Sequence, residues 1–123
     1  MKLDYSPTVI EHFEHPRNYG ELSLANGVAM IGNPSCGDTI KMSLLIKNGI
    51  IEQVSFQTLG CVAAVAASSV LTTLVKNKTV AEAERVTNQD VATALGGLPV
   101  QKLSCSNFAA DALKAAIKNY KIH

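Results

Sequence analysis

DTIKMSLLIKNGIIEQVSFQTL, residues 38–59, decides the fold of this chain. Ile40, Met42, Leu44 and Ile46 alternate with Lys41, Ser43 and Lys47, the period of a strand with one buried face, and only Leu45 breaks the alternation. Asn48-Gly49 signals a hairpin turn, and residues 50–59 return with Val54 and Phe56 on one face. A two-residue loop would set Met42 opposite Ser55 and Leu44 opposite Gln53, spoiling the apolar face. A three-residue loop over 47–49, with Gly49 left-handed in a bulge, pairs Met42 with Val54 and Ile40 with Phe56, and is the expected register. It sets Asp38 beside Thr58, with Cys36 and Cys61 just beyond the two ends, so the hairpin brings two thiols into one neighbourhood.

Upstream lies Asn33-Pro34-Ser35-Cys36-Gly37-Asp38. Pro34 fixes its own φ and pushes Asn33 out of the α region, while Gly37 reaches conformations closed to other residues. Such a turn can aim a thiol and a carboxylate at one point. Residues 28–31 read as a short strand ending at Gly32, and residues 17–27 as a loop. Ser6 caps a helix with Pro7 at its first position, running to Glu14 with Val9, Ile10 and Phe13 as an apolar stripe. His12 and His15 are expected to be exposed and outside any site.

Residues 62–76 are apolar or small nearly all round, a helix buried on most sides, with Cys61 at its N-terminus. There the helix dipole favours a thiolate. Thr79 caps a short helix through Val86, and Thr87 or Asn88 another through Leu95, ended by Gly96-Gly97. Ser104 and Ser106 flank Cys105 ahead of a last helix, whose face of Ala109, Ala112, Leu113, Ala116, Ile117 and Tyr120 opposes Asp111, Lys114 and Lys118.

The 123 residues suit one domain, 1–123, with a single core. Eleven Lys and Arg against ten Asp and Glu leave a net charge of +1, which argues against nucleic acid or an anionic membrane as partner. The N-terminus lacks the apolar core of a signal peptide, and no apolar run reaches the length of a membrane span, so the expected location is the cytoplasm. Three cysteines, 25 and 44 positions apart, make an odd, widely spaced set that argues against a disulfide framework. Each marks an element boundary. Together with Asp38 they would supply four ligands, enough for tetrahedral zinc or the two irons of a 2Fe-2S cluster, each from a different element.

These motifs occur in order. Tyr5-Ser6 leads to Glu14-His15-Pro16-Arg17-Asn18, then to Gly32 through Asp38, to Phe56-Gln57-Thr58-Leu59-Gly60-Cys61, and to Cys105-Ser106 before Ala110-Asp111-Ala112; Ala115-Ala116-Ile117 and Tyr120-Lys121 follow. Over nearly its full length the chain resembles iron-sulfur cluster assembly scaffolds of the IscU and NifU N-terminal type. The resemblance implies a compact α+β domain, a three-stranded antiparallel sheet packed by several helices. It implies a scaffold or carrier rather than an enzyme. Persulfide sulfur from a cysteine desulfurase, with iron and electrons, would be built into a 2Fe-2S cluster and passed to apo iron-sulfur acceptor proteins. It matches Cys36, Cys61 and Cys105 to the cluster ligands, Asp38 to the exchangeable ligand associated with release, and Cys105 to the persulfide acceptor. An electron donor or iron-donor helper belongs to the same partner set. Exposure of a cluster at one end of the domain points to a homodimer in the cluster-bound state, with Tyr5 as a contact.

Two positions depart from the family pattern. Ser104 stands where IscU-type scaffolds usually carry histidine, and a neutral hydroxyl is a poor ligand beside thiolate, imidazole and carboxylate. Asp38 is therefore the expected fourth ligand. Leu98-Pro99-Val100-Gln101-Lys102 replaces the Leu-Pro-Pro-Val-Lys stretch through which many relatives meet a dedicated chaperone, which argues against dependence on that chaperone. The alternative function is a zinc-dependent sulfur acceptor of the SufU type, which lacks the histidine but usually carries an insertion between the second and third cysteines that this chain does not have.

Overall fold

The computed structural model describes residues 5–33, 38–60, 62–97 and 103–122. In chain order the elements are α1 (Pro7–Glu14), β1 (Gly27–Asn33), β2 (Asp38–Lys47), β3 (Ile50–Leu59), α2 (Val62–Val75), α3 (Val80–Glu84), α4 (Asn88–Ala94) and α5 (Leu103–Ile122). The strands form one antiparallel sheet in the order β1-β2-β3, as the resemblance implies. Ile40, Met42, Leu44 and Ile46 of β2 are buried together with Val54 and Phe56 of β3, Leu71 and Val75 of α2, and Leu113 and Ile117 of α5. The helices thus cover one face of the sheet.

Local chemistry sets the helix boundaries. Ser6 Oγ accepts the Val9 N–H at 3.1 Å and donates to the Leu95 carbonyl, so the cap of α1 also ties it to the end of α4. Thr79 and Thr87 each head a reciprocal capping box, with Glu82 and Asp90 returning the bond. Buried positions lie all round α2, including Ser68, Ser69 and Thr72, as its composition predicts.

The hairpin departs from the expected register. Its loop is the two-residue Asn48-Gly49 turn, both residues left-handed at φ 54° and 74°, and Lys47 pairs with Ile50. A bulge then shifts the pairing between Leu45 and Ile46. Leu45 faces Gln53 and Ile46 faces Ile51, which leaves Glu52 as the extra residue. Beyond it Leu44 pairs with Val54 and Met42 with Phe56, so the apolar face is restored without lengthening the turn. The expected pairs Met42 with Val54 and Ile40 with Phe56 are each displaced by two residues. Thr58 accordingly lies opposite Ile40, not beside Asp38, and Thr39 lies opposite Leu59.

Other expectations shift at their edges. β1 is longer than the predicted 28–31, because Gly27 and Asn33 pair with Leu44 and Asp38. α5 starts at Leu103, so Cys105 lies within its first turn and not ahead of it. Within α1 only Val9 is buried; Ile10 and Phe13 are exposed. The predicted loop 17–27 is bonded at both ends: Gly20 donates to the Phe56 carbonyl at 2.9 Å, while the Asn26 side-chain amide pairs with both the N–H and C=O of Ile46 at 2.9 and 2.8 Å, acting as a surrogate peptide group. Between them Glu21 meets Lys41 at 3.2 Å on the sheet face away from the helices.

Candidate functional site

The four sequence-predicted site residues divide into two groups. Cys36 and Cys61 lie outside the described residues, as does the 98–102 stretch. Asp38 is the first residue of β2, opposite Asn33, and Cys105 is the third residue of α5.

The described elements that flank these positions meet at one end of the sheet. The pairs Asn33 with Asp38 and Thr39 with Leu59 set the end of β1, the start of β2 and the end of β3 side by side. α2 begins at Val62, three residues after that end of β3. The direction of α5 follows from its other half. A methyl group on Gly27 would lie 2.9 Å from the Ala116 carbonyl oxygen and 3.0 Å from Tyr120 Cβ, and Asn119 Nδ2 donates to the Val28 carbonyl at 2.7 Å. Residues 116–120 therefore lie against the start of β1, the end of the sheet remote from Asp38. Ala109, Ala112 and Leu113 belong to the same core, so the helix continues along the sheet. From residue 116 back to 105 it spans about 16 Å, and β1 from 27 to 33 spans about 20 Å. The first turn of α5, with the backbone of Cys105, thus points toward the Asn33 and Asp38 end.

At that end Thr58, 8% exposed, donates its hydroxyl to the Thr39 carbonyl, a cross-strand tie beside the two strand termini. A cavity of about 290 Å³ lined by Tyr19, Met30, Thr39, Lys41, Gln57 and Thr58 opens next to it. Sequence reasoning named Thr58 as the neighbour of Asp38 and as part of the Phe56 to Cys61 motif but gave its hydroxyl no role. The available signal was a hydroxyl residue two positions beyond Phe56 on an otherwise apolar strand face.

His12 also departs from its expectation. It is half-buried, with Nδ1 2.7 Å from Ser69 Oγ, and burial pushes its pKa below the ordinary value of 6.5; the Arg17 charge acts in the same direction and Glu11 against it. His15 is exposed, as expected. Ser69 Oγ further accepts the Arg17 backbone N–H at 2.8 Å, and Asn18 Nδ2 donates to Thr72 Oγ1 at 2.9 Å. The Glu14 to Asn18 motif is thereby fastened to α2, a structural role away from the strand ends.

Among the described residues, no helix is long and apolar enough to cross a membrane. The chain matches the family described as NifU-like N terminal domain over residues 4–123. It is 51% identical over 116 residues to the iron-sulfur cluster assembly scaffold protein IscU 1 of Archaeoglobus fulgidus, covering 94% of this chain and 76% of that protein. With the IscU scaffold protein of Aquifex aeolicus it shares 44% identity over 122 residues, 98% of this chain and 78% of the relative. Two solved structures share the fold at low identity. The N-terminal part of a NifU-like protein from Brucella abortus superposes with a TM-score of 0.80 at 17% identity, covering 95% of this chain and 94% of that one. A SUF-system iron-sulfur cluster assembly scaffold protein from Fervidobacterium islandicum gives 0.79 at 21% identity, covering 92% and 96%. The full-length match, the identity to proteins named as scaffolds and the shared three-stranded fold agree: the chain belongs to the IscU and NifU N-terminal family.

Proposed function

We propose that this protein, as one domain over residues 1–123, is a cytoplasmic scaffold on which a labile 2Fe-2S cluster is assembled from iron and desulfurase-derived persulfide sulfur, then passed to apo iron-sulfur proteins. Cys36, Asp38, Cys61 and Cys105 hold the cluster as cargo, and Cys105 accepts the persulfide. Its partners are a cysteine desulfurase, the apo acceptors and an electron donor or iron-donor helper, with a homodimer in the cluster-bound state.

The observation that supports this reading most is the convergence of strand and helix termini at one end of the sheet, at the points of the chain where the motif residues occur. Ligands carried by separate elements can be separated by small relative movements, which suits a cluster that must leave. Cys105 in the first turn of a 20-residue helix is near the positive end of its dipole, which favours the attacking thiolate. The relatives at 51% and 44% identity are named as scaffold proteins, in keeping with a carrier.

Anaerobic reconstitution with iron, cysteine and a desulfurase tests the reading. The expected product has a 2Fe-2S absorption spectrum, and Asp38→Ala changes both its ligation and its lifetime. Zinc in the freshly purified protein, with no chromophore after reconstitution, would overturn the proposal in favour of a SufU-type sulfur acceptor.

A further inference from the structure

We propose that Thr58 is a positioning residue, whose hydroxyl fastens the strand end carrying Asp38 to the strand end leading into Cys61. The inference rests on the ligand assignment above and adds to it a residue that is not a ligand.

Thr58 occupies a place where an apolar residue would be expected. Phe56 and Val54, at the preceding alternate positions of β3, are buried in the core, and Thr58 is nearly as buried. A buried hydroxyl needs a partner, and this one donates to the carbonyl of Thr39, the residue that follows Asp38. Among the described residues, Thr39 with Leu59 is the last main-chain pair of β2 with β3 at this end. Terminal pairs of a ladder fray because no neighbour supports them on one side. The Thr58 bond adds a cross-strand link one residue inside that pair, three residues before Cys61 and one after Asp38. It therefore limits the separation of two elements that carry ligands, without itself entering the ligand set.

Three variants test this, Thr58→Val, Thr58→Ser and, as a control at the hairpin end of the same strand, Ile51→Val. Two quantities are measured for each: backbone amide exchange in the cluster-free protein and spontaneous cluster loss after anaerobic reconstitution. With Thr58→Val, amides of residues 39–41 and 57–59 should exchange about fivefold faster, the factor carried by one neutral hydrogen bond, and the cluster should be lost faster by a similar factor. Thr58→Ser keeps the hydroxyl and should restore both. Ile51→Val, which trims the core far from the site, should leave both at their wild-type values. Wild-type exchange and cluster loss in Thr58→Val, or no rescue by Thr58→Ser, would overturn the proposal. If the wild-type protein forms no cluster, the ligand reading fails, while exchange in the cluster-free protein still decides whether Thr58 ties the strand ends.

Discussion

Ser69 Oγ and His12 Nδ1 share a hydrogen bond of 2.7 Å, joining the middle of α2 to α1. Ser69 Oγ also accepts the Arg17 backbone N–H at 2.8 Å. Protonated His12 carries a hydrogen on both ring nitrogens and can only donate to Ser69 Oγ.

A pH dependence of stability results. The pKa of His12 is lowered in the folded protein, chiefly by burial and then by the Arg17 charge, so the folded state resists a proton that the unfolded chain accepts. The stability that neutral His12 contributes is fully present above the ordinary value of 6.5 and declines as pH falls from there toward the lower folded pKa. Urea unfolding across that window should show the wild type losing stability more steeply than His12→Gln, which retains an acceptor without titrating. Equal slopes would refute the arrangement.

Gly27→Ala should destabilise the protein by about 1–3 kcal/mol, although replacing glycine in a strand ordinarily helps. The added methyl would meet the Ala116 carbonyl at 2.9 Å and Tyr120 Cβ at 3.0 Å, so α5 would have to move off β1. Chemical denaturation measures the loss, and a variant as stable as the wild type would show that α5 can give way freely.

At the hairpin, Gly49→Ala should cost about 1–2 kcal/mol, because φ at Gly49 is +74° although the space around it is open. Asn48→Gly should be close to neutral, since that position is already left-handed at 54°. Thermal unfolding of the two variants distinguishes this turn from a three-residue loop, in which residue 48 has no need of a left-handed conformation.

The hairpin also shows how far sequence reasoning reaches. Alternation identified both strands and Asn48-Gly49 identified the turn, because side-chain period and left-handed propensity are local properties. The pairing did not follow from them. Turn length and face matching seemed to exclude one another until the bulge at Glu52 satisfied both, and a bulge is selected by the total packing of Met42, Leu44, Val54 and Phe56. His12 is similar: its neighbours Glu11 and Glu14 are exposed, but Ser69, 57 positions away, makes its environment.

By itself the sequence determined the helices, through the caps at Ser6, Thr79 and Thr87 and the apolar faces of α2 and α5, the three-strand count, and the ordered motifs that carry the family. All of these depend on residues within a few positions of one another. Tertiary structure alone decided the register of β2 on β3, the antiparallel course of α5 along β1 that turns Cys105 toward the Asp38 end, and the Thr58 tie beside it. Those depend on contacts between residues far apart in the chain, whose energies exist only once the sheet and helices have packed.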